Sequence, residues 1–246
     1  MTKLRHLLIA IVALALVAAL AFLYDKTQAV DLGDRNDVAA LLDTLREIDG
    51  RWDIDVLRER AELDANQMPA PNRSATAKKA LATLAAAVPR ADSAALSEGL
   101  GELGKAVLEK ADLVEKYKTE SASVKIALHA VISGTAALGA QAGELRKGDP
   151  RQKEVQQALN QLAAAAQQYY WLGKAAPPLS LEMAAGEMRD LAAAMGEGAL
   201  VRAVAIEGAI QVLLKHKPVE EELFTKVSSM SSGPRLDKMS FAFNRE

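Results

Sequence analysis

The 246-residue chain contains no cysteine, so disulfides, thiolate metal sites and a cysteine nucleophile are all excluded, and stability rests on packing alone. Aromatic residues are only 4% of the chain. Glycine and proline are scarce inside long stretches rich in alanine and leucine, a balance that favours helices over strands. No segment sustains the period-two alternation of a half-buried strand. An excess charge of one sign is also missing: 30 basic residues face 32 acidic ones, for a net charge of −2. That balance provides no electrostatic footprint for nucleic acid. There is no glycine-rich phosphate loop and no nucleophile–base constellation, so no catalytic residue and no cofactor is expected. His129 and His216 lack companions at ligand spacing, so no metal site is expected either. The composition predicts an all-α protein.

One long hydrophobic run is present. In MTKLRHLLIAIVALALVAALAFLYDK, Lys3 and Arg5 precede an uncharged apolar stretch from Leu7 to Leu23. At about 1.5 Å per residue this run nearly spans a hydrocarbon core of roughly 30 Å, whereas the apolar part of a cleaved signal is shorter. The pattern predicts an uncleaved anchor over residues 7–24. Residues 1–6 then form a cytoplasmic tail and the bulk of the chain lies outside, in the periplasm of a bacterial inner membrane. The competing reading is a secretory signal cut after Thr27-Gln28-Ala29. In both readings the rest of the chain works outside the cytoplasm.

Prolines at 69, 71, 89, 150, 177, 178, 218 and 234 punctuate the rest of the chain, since proline is disfavoured in helix interiors. The spacing predicts helices at roughly 34–64, 74–88, 93–147, 151–174, 180–195 and 198–230, with Ser93 and Ser180 as N-caps and Lys147-Gly148 as a C-terminal stop. The third helix carries a heptad seam. Counting in sevens gives Leu100, Val107, Val114, Ser121, Leu128, Thr135 and Ala142, with companions Leu103, Lys110, Tyr117, Val124, Val131, Leu138 and Leu145. Such a helix is on the order of 70–80 Å long, more than a compact bundle can cover. The expectation is therefore an elongated pair of stacked helical bundles sharing this spine, over residues 31–230, with a polar tail at 231–246. The seam also predicts that aspartate at Val114 or Val124 unfolds the domain, while replacement of Lys110 is tolerated.

The stretch LREIDGRWDIDVLRER, the stretch EKADLVEKYKTESASVKIAL on the long helix, and LLKHKPVEEELFTKV near the end resemble the double all-helical ligand-binding (DAHL) sensor domain of bacterial transmembrane receptors. The resemblance covers roughly residues 40–130 and the closing helix, with Asp55-Val56-Leu57 before Arg60 and Tyr117-Lys118-Thr119 as the matching steps. It implies a receptor role: binding of a small extracytoplasmic ligand, and transmission of altered helix packing. Receptors of this family connect the sensor to a cytoplasmic enzyme. No such module comes after Met230 here, so the expectation is either a separate signalling protein or a free-standing ligand-binding relative, and a signal through one membrane helix is expected to need a homodimer or a membrane partner.

Along the first helix the apolar stripe runs Val38, Leu41, Leu45, Ile48, Trp52, Val56, and its next step is Arg60. A guanidinium on that face must find an acid, water or an anionic ligand, because burial without a partner is costly. In one reading its stem packs and its head reaches the bundle edge or an aspartate. In the sharper reading Arg60, with Lys118 and Ser121 from the spine, binds an anionic ligand in a membrane-distal module. Arg58 and Lys125 are expected on solvated faces, as is the run Glu220-Glu221-Glu222. Of Tyr169-Tyr170-Trp171, set about 100° apart around a helix, two are expected inside and one outside. Two functions from different classes remain open: a sensory module that is not an enzyme, or an anchored structural or adaptor rod with no small-molecule ligand.

Overall fold

The structure, a computed structural model, describes residues 14–24, 32–61, 72–91, 94–143, 150–230 and 232–245. Helix accounts for 97% of these, and no strand occurs among them. The helices are α1 (Leu14–Tyr24), α2 (Leu32–Ala61), α3 (Arg73–Ala91), α4 (Ala94–Gly143), α5 (Pro150–Leu172), α6 (Pro178–Met195), α7 (Glu197–Ser229) and α8 (Gly233–Arg245), with a 3-10 turn at Gly173–Ala175.

Local chemistry explains the starts and stops. The Asn72 side chain accepts the Ala75 N–H at 3.0 Å and so caps α3. Pro150 and Pro178 open α5 and α6, where a missing N–H costs nothing. Ser180, expected as a cap, lies inside the first turn of α6; the cap position is Pro177. Ser93, Lys147 and Gly148 lie outside the described residues. A single residue, Gly196, separates α6 from α7, and its φ of 118° is one that a side chain resists. Pro89 and Pro218 do not end helices: α3 continues two residues past the first, and the second sits in mid-α7, where the Leu214 carbonyl loses its usual N–H partner.

α4 is 50 residues long, about 75 Å at the standard rise. Most of its seam is buried as the spacing predicts, from Leu103 through Val107, Val114, Tyr117, Val124, Val131 and Leu138 to Ala142, while Leu100 and Leu128 are half-buried and Leu145 lies outside the described residues. The buried apolar residues form two clusters. The first joins Val38–Val56 of α2, Ala77–Val88 of α3, Leu96–Tyr117 of α4, Leu223 and Val227 of α7, and Leu236, Met239 and Phe243 of α8. The second joins Val124–Ala142 of α4 to α5, α6 and the Ala199–Leu213 part of α7. Among the described helices only α4 and α7 contribute to both, and each fully buried Leu, Val or Ile adds roughly 1.5–3 kcal/mol.

The C-terminal segment is a correction. Residues 233–245 form a helix rather than a polar tail, because Leu236, Met239 and Phe243 recur at helical spacing and complete the first core. Ser232 hydrogen-bonds Asp49, Asp237 pairs with Arg46, and Arg35 donates to the Phe243 carbonyl at 3.0 Å, so α8 lies along α2 in the opposite direction.

Of the apolar N-terminal run, the described part is α1, whose large apolar side chains are exposed. Residues 7–13 lie outside the described residues. By length and composition one described helix could cross a membrane, Leu96–Gly143 within α4. It is the helix on which both cores are assembled.

Candidate functional site

Between Tyr117 and Val124 on α4, and between Leu213 and Leu223 on α7, both apolar cores are interrupted by buried polar residues. These are Ser121 on α4 and Lys217 and Glu220 on α7. The end of α2 reaches the same level. Lys217 Nζ stands 2.6 Å from Glu220 Oε2, with both side chains almost fully buried, and lies 5.0 Å from the centre of the Tyr170 ring. Glu59 of α2 receives Lys125 Nζ at 2.6 Å on its carboxylate and at 3.0 Å on its carbonyl. Lys125 therefore ties α4 to the last turn of α2, where unpaired carbonyls favour a cation. At the rim, His216 Nδ1 and Glu120 Oε2 are 2.6 Å apart.

Tyr117 stands at the centre. Its ring is fully buried and tilts against Phe224 at 6.2 Å, and its hydroxyl donates to the Val56 carbonyl at 3.5 Å. Burial pushes its pKa far above the ordinary phenol value; the Glu220 charge adds to that, as Glu59 does, while a hydrogen bond with Ser121 and the Arg60 charge oppose it. Tyr117 is thus a neutral hydrogen-bonding phenol.

Arg60 is half-buried, and its guanidinium lies over the Phe224 ring, 4.2 Å from the centroid. Among the described residues no carboxylate pairs with it. The aromatic face accommodates the cation without neutralising its five donors. Ser121 is fully buried, 3.5 Å from Glu59 Oε1. Arg60 and Ser121 are thus gathered around Tyr117, whereas Lys118 turns to Glu115 at 3.7 Å, the carboxylate that also accepts from Ser74. All three residues lie at the end of the first core, the one containing α2, not in the second.

Two expected solvated faces are corrected. Lys125 holds Glu59, and Glu220 is only 5% exposed; Glu221 reaches the Lys174 N–H at 3.3 Å, and only Glu222 is solvated, paired with Lys226. A helix turns about 100° per residue, so three consecutive glutamates meet three environments. Arg58 is exposed as expected, and Tyr169 and Tyr170 are buried while Trp171 is 56% exposed.

A second polar cluster lies inside the first core. Lys110 is fully buried, 2.9 Å from Asp49 Oδ1 and 2.8 Å from Asp53 Oδ1, and Asp49 also receives the buried Ser232 hydroxyl. This overturns the expectation that Lys110 is dispensable: the ammonium joins α4, α2 and the α7–α8 link. The signal was a lysine in a heptad seam opposite a helix whose apolar stripe is flanked by aspartates. Lys217 and Glu220 carried a like signal, occupying inward positions between Leu213 and Leu223.

The DAHL domain family model matches residues 30–246, and the chain belongs to that family. It is a family of sensor and ligand-binding domains rather than of enzymes. The match extends through α8, in keeping with a C-terminal helix that is integral to the fold. Comparison with curated proteins and with solved structures returns no match.

Proposed function

We propose that the chain is a membrane-anchored extracytoplasmic sensory module that binds a small anionic ligand and passes a change of helix packing to a partner, either a second copy or a separate signalling protein. Leu7–Leu23 is the anchor of an inner-membrane protein, with the N-terminus cytoplasmic and the bulk periplasmic. The two cores along α4 are read as stacked modules of an elongated rod. Because α2 comes directly after the anchor, the module holding its core is the proximal one, and the site lies at mid-length rather than in the distal module.

The observation that carries the ligand reading is the Arg60 guanidinium, laid on Phe224 without a carboxylate partner among the described residues, beside the buried hydroxyls of Tyr117 and Ser121. A carboxylate or phosphate would complete its donors in bidentate fashion. Lys118, one residue along the spine, adds positive potential. Pro218 weakens the α7 ladder at this same level, so packing changes here are cheaper than elsewhere along α7. A thermal-shift screen of anionic, neutral and cationic metabolites on the full chain in detergent tests the reading, because a ligand selective for the folded state raises its stability. A screen in which only neutral or cationic compounds stabilise the protein refutes the anionic assignment.

One observation favours the adaptor reading instead. Trp171, Leu172, Leu179 and Met183 are all substantially exposed where α5 meets α6, a grouping of apolar side chains suited to a protein partner. An adaptor role predicts that substitutions there abolish function while Arg60 is dispensable.

A further inference from the structure

A groove of about 460 Å³ separates the first turns of α4 from α8. Its floor is apolar, with Leu103 and Met239 both buried. The floor is close-packed: a Cβ at Gly99 would stand 2.9 Å from Met239 Cγ, so glycine is what lets the two helices approach. Above it the walls differ in sign. Glu98 and Glu102 stand one turn apart on α4, and Arg235 and Lys238 three residues apart on α8. All four are exposed, and among the described residues no ion pair joins the acidic wall to the basic one; Glu102 pairs only with its neighbour Lys105 at 3.2 Å. Asp237, the acid on α8 between the two cations, is engaged by Arg46 on the α2 side. The groove thus presents a carboxylate side and a cationic side across an apolar base, with no net charge.

We infer that this groove binds a small zwitterion with an apolar side chain, of the α-amino acid class. The ammonium faces Glu98 and Glu102, the carboxylate faces Arg235 and Lys238, and the side chain lies on Leu103 and Met239. A ligand carrying both charges satisfies both walls at once, whereas one with a single charge leaves the opposite wall unmatched. The size suits a single residue, being near the lower end for small-molecule pockets. Because one wall is α8, occupancy also strengthens the docking of the last helix on the first core. The site is separate from the Arg60 site and does not depend on it.

Isothermal titration of the full chain in detergent with L-leucine and L-methionine tests the proposal, with isoamylamine and 4-methylpentanoate as analogues lacking one charge each. The expected result is saturable binding of the amino acids and binding weaker by roughly tenfold to a hundredfold for either analogue, the effect of a lost charge-assisted hydrogen bond. Glu98→Gln, and Arg235→Gln combined with Lys238→Gln, should weaken leucine binding. Absence of saturable binding by either amino acid up to millimolar concentration overturns the proposal. So does equal binding of the amine, or leucine binding that survives the Arg235/Lys238 double substitution. The comparison of leucine with its analogues uses the unmodified protein, so it decides even if a variant fails to fold.

Discussion

Lys110→Met is the perturbation for which structure and sequence make opposite forecasts. Methionine keeps most of the stem volume and deletes the ammonium. Asp53 is partly exposed, although the Oδ1 that faces Lys110 is buried, and Asp49 is left as a nearly fully buried carboxylate whose remaining described partner is the Ser232 hydroxyl. Removing one member of a buried ion pair costs about 3–5 kcal/mol, mostly because the other charge stays buried. Against a total stability of roughly 5–15 kcal/mol, that is about a fifth of the fold or more. With a urea m-value of about 2 kcal/mol/M, the midpoint should fall by roughly 1.5–2.5 M. Trp52 is fully buried in the first core, so its fluorescence in a Trp171→Phe background reports this unfolding directly. Adding Asp49→Asn to Lys110→Met removes the stranded charge and should restore part of the loss. A Lys110→Met midpoint equivalent to less than about 0.5 kcal/mol from wild type, the usual range of a solvated surface change, would mean that the ammonium does not hold Asp49 in the core.

Other perturbations probe separate parts of the structure. Val114→Asp and Val124→Asp each bury an unpaired charge at a fully buried seam position, one per core, and should abolish the cooperative thermal transition seen by circular dichroism. Gly173→Ala places a Cβ about 1.7 Å from Glu221 Oε1 at a φ of +52°, and should cost about 1–3 kcal/mol in a denaturant titration. Tyr117 is held protonated in the fold while its unfolded phenol ionises near 10.0, so its contribution is complete below that pH and is lost as pH rises beyond it. Tyr117→Phe should accordingly show a shallower alkaline loss of stability than wild type, and an equally steep one would contradict the buried-phenol reading. Mass measurement of the mature chain distinguishes the anchor, which keeps Leu7–Leu23, from a product beginning at Val30.

How much of the fold was legible from sequence varies with how local the determining contact is. Most of the heptad seam of α4 and of the α2 stripe up to Val56 could be read from spacing, because burial tracks helical period and needs no knowledge of the partner; the stripe slips at Leu41, which is half-buried while Leu42 takes the inward place. Lys110 could not be read in that way. Its acids lie on another helix, with Asp49 61 residues away, and a lysine in a seam looks the same whether a carboxylate or water awaits it. Helix α8 was hidden by length: the three apolar side chains that it buries gain their meaning from the open side of the first core. Arg60 was legible as the point where the stripe breaks, but Phe224, on which it rests, sits in a helix 164 positions further along the chain, and only the fold brings Ser121 to the same tyrosine.

Whether the junction of the two cores reads an anion through Arg60 is decided by titrating wild type and Arg60→Met with an anionic ligand found in the stability screen. Methionine retains the apolar stem against Phe224 and removes the charge. The expected result is an unchanged helical signal, a melting temperature close to wild type, and affinity reduced by the roughly 1.5–3 kcal/mol of a lost charged hydrogen bond. Full affinity in a well-folded Arg60→Met protein would contradict it.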